Sequence, residues 1–301
     1  MYTDKEIYEN IFRMQRMYLS LEEQQKIINS RIAFLGVGGI GSSAFEAILR
    51  NGFSHLNLTE KDKYELNNYR QLYMTTSTVG KSKGVVALQR ALEINPYATI
   101  NFYEGGLNSN NAHQIFKGVD LIIQEADTVV SSVIANYWGD KLRIPVIHGS
   151  REFWLNSHEL TVDIKDYRRD DIHYKIDCKE LEKSFGIPTK LSEQLILTIE
   201  GQENSEKIEK EVQDINREFR RKSILQKLDS ADSGTLKKFT DNKDLDYIRK
   251  VKDKYPLLFD KQRVAPEQVM IMGAMVAMVA KKVILNKNFK KPIFDTFIEN
   301  S

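Results

Sequence analysis

RIAFLGVGGIGSSAFEAILRNGFSHLNLTE, residues 31–60, reads as strand, glycine-rich turn, helix and strand in immediate succession. RIAFLG (31–36) is a short apolar run of the kind a buried parallel strand requires. GVGGIG then sets Gly36, Gly38 and Gly41 at GxGxxG spacing, directly before a helix over 41–51 that Asn51-Gly52 stops. Gly36 makes the tight turn, Gly38 lets the backbone approach phosphate, Gly41 lets helix and strand pack closely, and Gly39 belongs to the same turn. Unpaired N–H groups at the helix start, helped by the helix dipole, suit an anion there, so the stretch reads as a nucleotide site. HLNLTE (55–60) is the next strand and Glu60 ends it. A carboxylate in that place accepts both ribose hydroxyls in dinucleotide-binding halves, and on this stretch alone NAD is the first expectation.

Outward from it the alternation continues. The expected elements are a helix over 83–93, a strand in ATINFYE (98–104), a short helix in NNAHQIF (110–116), a strand starting at Val119, a helix over 129–142 and a strand in IPVIHGS (144–150). This predicts an α/β fold with an open, Rossmann-like, mostly parallel sheet and helices on both faces. Twelve of the 16 glycines lie in the first 150 residues, where βα turns need them. Residues 4–29 read as helix, with a second piece from Ser20, which has capping-box spacing with Glu23. Beyond 150, ELTVDI (159–164) alternates like a strand. Residues 165–260 are dominated by charge, with a long polar helix from about 201 to 228, and Pro256 breaks any helix there. Residues 264–285 read as one helix, apolar almost all round in its middle (VMIMGAMVAMVA, 269–280), which Lys281 and Lys282 closely follow, and better suited to a core than to a membrane. The expected divisions are N-terminal helices (1–30), a Rossmann-like nucleotide-binding domain (31–164), a charged helical substrate or partner segment (165–260) and a C-terminal helix packing back on the core (261–301).

Composition sets wide bounds. The 301 residues carry 44 Lys and Arg against 42 Asp and Glu, a net charge of +2 that gives no general reason to expect a nucleic-acid partner. No secretory signal or membrane span is legible, so a cytoplasmic location is expected. The one cysteine, Cys178, leaves no internal disulfide and no zinc site built from several thiolates.

Polar residues downstream of the glycine turn exceed what hydride transfer needs. Asp62, Asn67, Arg70, Gln71 and Lys83 follow the second strand, and Asp127 follows the fourth. Arginine clamps phosphate oxygens with a fork and lysine adds a mobile point charge. An Asp at a strand's carboxyl end in an α/β sheet is placed to hold magnesium on a triphosphate.

The run GVGGIGS (36–42), LTEKDKYELNNYRQ (58–71), VGKSK (79–83), EINP (93–96), DLIIQEADT (120–128) and the closing APEQVMIMGAMVAMVAKKV resembles the ubiquitin-activating-like (E1-like) adenylyltransferases of the ThiF, MoeB and HesA family. The resemblance implies Mg-ATP and attack on its α-phosphate by the C-terminal carboxylate of a peptide or small ubiquitin-like carrier protein, with release of pyrophosphate. It also implies a homodimer. On matching positions, Glu60 stands where the family has a ribose-binding Asp, Asn67, Arg70 and Lys83 match phosphate contacts, and Asp127 matches the magnesium ligand. An arginine of the N-terminal helix, Arg13 or preferably Arg16, matches one commonly supplied across the dimer. The chain departs from the pattern in the Glu for Asp at 60, in a loop one residue shorter before Asn67, and in lacking both CxxC pairs, so a zinc-free variant is expected.

Cys178 is the one candidate thiol, with Asp177 and Glu180 beside it working against ionisation. The histidines at 55, 113, 148, 158 and 173 have no ligand spacing, and Trp138 and Trp154 read as packing residues. Three other readings remain: an NAD-binding oxidoreductase, which gives Arg70, Lys83 and Asp127 no task; a tRNA threonylcarbamoyladenosine dehydratase-like enzyme; and a non-catalytic E1-like partner subunit.

Overall fold

A computed structural model describes residues 10, 13–149, 162–201, 205–230 and 266–287. In chain order its elements are α1 (Leu21–Asn29), β1 (Arg31–Leu35), α2 (Gly39–Arg50), β2 (His55–Thr59), α3 (Lys83–Ile94), β3 (Thr99–Tyr103), α4 (Ser109–Phe116), β4 (Leu121–Gln124), α5 (Val129–Leu142), β5 (Val146–Gly149) and β6 (Val162–Lys165). Then follow α6 (Cys178–Phe185), α7 (Thr189–Ile199), α8 (Ser205–Ser230) and α9 (Pro266–Ile284). The described residues fall into two compact units, one of residues 10, 13–149, 162–175 and 266–287, the other of 176–201 and 205–230.

The first unit is built on a six-stranded sheet of order β3-β2-β1-β4-β5-β6, parallel except for β6, which runs antiparallel to β5. This is the mostly parallel α/β sheet that the alternation predicts. β1, at its centre, is buried from Ile32 to Leu35, because strands covered on both faces must be apolar throughout. Chain order reverses between β1 and β4, and the crevice outside the carboxyl ends at such a reversal is where open α/β sheets bind ligands.

α2 follows β1 directly and buries Phe45, Ile48 and Leu49, with Phe45 edge-on to Phe34 of β1 at 5.1 Å. α9 lies along α2, and it can come so close because Gly273 has no side chain: a β-carbon there would sit 2.5 Å from the backbone of Ser43 and Ala44. Val269, Met272, Val276, Ala280 and Val283 are buried on this helix. At about 1.5–3 kcal/mol for each large apolar side chain taken from water, this face accounts for the helix's place. Among the described residues no helix is long and apolar enough to cross a membrane.

At the N-terminus the expected helix is interrupted. Arg13–Met17 form a 3-10 turn, and α1 begins only after Ser20. The capping box is formed both ways, Glu23 N–H donating to Ser20 Oγ at 3.1 Å and Ser20 N–H to Glu23 Oε2 at 2.9 Å. Its extended Ser20 backbone is what stops any helix from running through.

The second unit holds α6, α7 and α8, packed around Leu181, Ile187, Leu191, Leu195, Ile199 and Val212. Overall charge conceals α6 and α7 in the sequence, although Leu191, Leu195 and Ile199 keep helical spacing. Pro256, Trp154 and His158 lie outside the described residues.

Candidate nucleotide site

The glycine turn sits at the reversal point. Gly36 N–H donates to Thr59 O at 2.9 Å and Glu125 N–H to Leu35 O at 2.8 Å, so the ends of β2, β1 and β4 are laced together beneath it. Gly36 has φ +88°, and a β-carbon on it would lie 2.8 Å from the backbone of Ala126, next to Asp127. Gly41 is more crowded still, since its β-carbon would fall on the carbonyl oxygen of Gly36. Gly38 is the opposite case: it is the N-cap of α2, no side chain caps the helix there, and nothing lies within 4 Å of where its β-carbon would be. The first N–H groups of α2 therefore emerge at an end that no N-cap side chain occupies, which suits an anion.

Two segments bring side chains to this opening. Between β2 and α3 the chain leaves on an excursion closed by an antiparallel bridge of Lys63 with Ser82, supported by Tyr64 N–H to Lys81 O and Lys83 N–H to Asp62 O, both 2.9 Å. That closure sets Lys83 at the start of α3 beside Asp62, with Nζ 3.6 Å from Asp62 Oδ2 and 5.9 Å from the Tyr64 ring centroid. The excursion is also tied to α2, because Leu72 N–H donates to Ser42 Oγ at 3.0 Å. Arg70 thereby comes to the helix start, its Nε 3.9 Å from the β-carbon position of Gly39. Gln71 is buried and its Oε1 has no hydrogen-bond partner, a polar atom consistent with a ligand.

Glu60 follows β2 and is buried. Its Oε1 accepts from Lys61 N–H at 2.8 Å and Asp62 N–H at 2.9 Å, and its Oε2 accepts from Val37 N–H at 2.9 Å. Burial raises its pKa above the ordinary glutamate value, and the neighbouring Asp62 pushes the same way; the backbone donors and Lys83 oppose this.

The sequence-derived residues thus fall into one connected group around the turn: Gly36, Gly38, Gly39 and Gly41, then Glu60, Asp62 and Lys83, with Arg70 and Gln71 from the loop. Asp127 is exposed, three residues beyond β4 rather than on it. Asn67 is also exposed, and its Oδ1 accepts from Asn68 Nδ2 at 2.6 Å. Arg16 lies in the 3-10 turn, but its side chain is outside the described residues. Sequence reasoning missed Glu125, whose Oε1 accepts from Gly149 N–H at 2.8 Å and whose β-carbon sits 3.2 Å from the β-carbon position of Gly41. The signal was present in DLIIQEADT, where an acidic residue stands two places before Asp127 at a strand's carboxyl end.

Other sequence candidates lie elsewhere. Cys178 opens α6, where the helix start favours a thiolate, yet burial raises its pKa and Glu193 and Asp177 add to the shift. His148 Nε2 is 3.0 Å from Asn136 Nδ2, and that amide nitrogen also donates to Ser132 O, so Nε2 is the acceptor of the pair. Trp138 packs against His113 and Tyr137.

Three comparisons bear on this arrangement. The sequence model described as the ThiF family matches residues 12–159. Adenylyltransferase and sulfurtransferase MOCS3 of Drosophila virilis is 34% identical over 128 residues, 42% of this chain and 28% of that one. The sulfur carrier protein adenylyltransferase of Thermus thermophilus is 28% identical over 130 residues, 43% of this chain and 48% of that one. The match therefore spans less than half the length of either relative. Among solved structures, Escherichia coli MccB, crystallised with AMPCPP and selenomethionyl MccA, superposes with a TM-score of 0.53 over 97% of this chain and 66% of its own, at 16% identity, which speaks to fold alone. Among the described residues no group of three or more His, Cys, Asp or Glu is arranged to hold a metal. With its glycine turn at the sheet's reversal point and its family match over residues 12–159, the chain has the adenylyltransferase fold of the ThiF/MoeB superfamily, without a metal-binding cluster among the described residues.

Proposed function

We propose that this chain binds Mg-ATP at the start of α2 and activates a carboxylate as an acyl-adenylate, releasing pyrophosphate. The observation that carries the reading is the meeting of an uncapped helix N-terminus with Arg70 and the Asp62–Lys83 pair at one sheet edge. Two cations beside unpaired backbone donors match a chain of phosphates and exceed the needs of a nicotinamide. In this reading the substrate carboxylate oxygen attacks the α-phosphorus, and the bond to the oxygen bridging the α- and β-phosphates breaks. Arg70, Lys83 and the N–H groups of α2 hold the phosphates and offset the charge that develops, so the protein's task is positioning and electrostatics. Asn67 and Gln71 complete the phosphate contacts.

Asp127, at the carboxyl side of β4, is the residue that would hold magnesium, and a lone carboxylate suffices because Mg²⁺ on a triphosphate takes most of its ligands from phosphate and water. The ion would neutralise phosphate charge and orient the leaving pyrophosphate.

The carboxylate belongs, in this proposal, to the C-terminus of a peptide or small carrier protein, the substrate class suggested by a relative that is a sulfur carrier protein adenylyltransferase. A homodimer supplying Arg16 to the partner's site is part of the same reading, and the exposed Met17, Tyr18 and Leu21 beside it are apolar enough to serve such an interface. Pyrophosphate release is the test. A panel of peptides with free C-termini is expected to stimulate it, and the same peptides amidated at the C-terminus are not. Release driven equally by amidated peptides, or only by tRNA, would contradict the assignment of the substrate.

A further inference from the structure

We infer that Glu46 is a positioning residue: through its ion pair with Arg90 it holds the helix that starts at Lys83 at a fixed distance from the helix that cradles the phosphates. The inference rests on the nucleotide reading above and concerns how that same site is held. Glu46 lies seven residues into α2 from Gly39, and Arg90 lies seven residues into α3 from Lys83. Seven residues are about two turns and about 10 Å of rise, so each residue stands below its helix start on nearly the same face. α3 packs beside α2, and Arg90 meets Glu46 with Nε 3.3 Å from Oε2 and Nη2 3.3 Å from Oε1. The tie two turns down thus joins the same two helices whose starts present the phosphate-binding N–H groups and the Lys83 ammonium.

Packed side chains do not fill the space beside this pair. A cleft of about 440 Å³ lies there, lined by Glu46, Leu72, Tyr73, Val86, Gln89 and Arg90 among others. Interlocking ridges of side chains ordinarily set the distance between two helices. Here a planar guanidinium fork does so, each of its two contacts falling on its own carboxylate oxygen, which fixes direction as well as distance. Arg50, one turn further along α2, donates from Nε at 2.9 Å and Nη2 at 2.6 Å to Oε1 of the same carboxylate. Burial works to raise the Glu46 pKa, but the hydrogen bonds from Arg50 and Arg90 outweigh it and hold the group below the ordinary glutamate value. The carboxylate also reaches the third piece of the site. Tyr73 is buried at the same cleft, three residues after Arg70, and Leu72 N–H is held by Ser42 one turn above Glu46. The helix start, Lys83 and the Arg70 loop therefore converge on one side chain.

The test follows Lys83 itself and works without the carboxylate substrate. An acyl phosphate of ATP, with the acyl group on the γ-phosphate, labels a lysine held beside the phosphates. The amine nitrogen attacks the acyl carbon, the bond to the phosphate oxygen breaks and ATP leaves. Labelling of Lys83 in the whole chain is read by peptide mass mapping at saturating reagent, beside calorimetry with Mg-ATP and a thermal melt. Arg90→Met keeps the stem and removes the fork. It is expected to be labelled at Lys83 about tenfold more slowly than wild type, because small displacements of a reacting group cost rate steeply. Its melting temperature is expected to stay close to wild type, since an ion pair with a guanidinium 39% exposed adds little stability. Glu46→Gln is expected to behave in the same way. Arg90→Lys keeps a cation within reach of Glu46 and is expected to label at an intermediate rate, which decides the matter should Arg90→Met fold poorly. Wild-type labelling in Arg90→Met and Glu46→Gln would overturn the inference, as would a lowered melting temperature with labelling unchanged. If the wild-type chain itself binds no Mg-ATP, the nucleotide reading is what fails; if it binds and the variants label as it does, only the role of Glu46 falls.

Discussion

Replacing Lys83 by methionine is expected to slow pyrophosphate release by about 100- to 1000-fold while the fold survives, the loss usual when one fixed charge aimed at a developing anion is removed. Lys83 is buried to 6% exposure, which for a lysine requires a reason, and within the chain it has the partly exposed Asp62 at 3.6 Å and the face of Tyr64. Methionine keeps the apolar stem that packs at the start of α3 and removes only the ammonium. Single-turnover pyrophosphate release and a thermal melt separate the outcomes. A lower rate with little change in melting temperature supports an electrostatic role at the transition state. A weaker ATP affinity with an unchanged turnover would instead assign the ammonium to uniform substrate binding. An unchanged rate would reduce Lys83 to a packing residue.

Gly41→Ala is expected to destabilise the chain by about 1–3 kcal/mol, the usual cost of forcing a methyl group into a filled interior, and to abolish measurable ATP binding. The new β-carbon would land on the carbonyl oxygen of Gly36, with Glu125 close on another side, so α2 has to back away from β1. Backing away moves the very N–H groups on which phosphate binding depends. Gly38→Ala provides the contrast, because its β-carbon meets nothing within 4 Å and points into open space at the helix start. That variant is expected to melt as wild type does yet bind ATP at least tenfold more weakly, through encroachment on the phosphates. Urea denaturation of both variants, paired with nucleotide titration, distinguishes a damaged scaffold from a blocked cradle. Equal ATP affinity in all three proteins would contradict the site.

Most of the first unit was legible because strands buried on both faces and glycine-punctuated turns leave strong local patterns. RIAFLG and GVGGIG could hardly be read otherwise, and Glu60 and Lys83 lie where the sequence put them, at the end of β2 and the start of α3. What the sequence hid is tertiary. The occupation of Glu60 by three backbone donors depends on how the glycine turn meets the 61–62 turn, which no spacing rule records. Glu125 escaped notice because its role arises from Gly41 and Gly149 approaching it from other elements. α6 and α7 were concealed by the charge around Leu181, Leu191 and Leu195, and the second helical piece from Ser20 formed as its capping box predicts, while Arg13–Met17 before it make a 3-10 turn rather than the expected α-helix.

The identity of the nucleotide is the central claim, because the glycine turn by itself points to NAD and only its polar surroundings redirect it to ATP. Isothermal titration of the wild-type chain and of Asp127→Asn with ATP and with NAD, each with and without magnesium, tests it most directly. The account predicts magnesium-dependent ATP binding that weakens in Asp127→Asn, and NAD binding that is much weaker in both. Tight NAD binding indifferent to magnesium, with ATP bound no better, would contradict it.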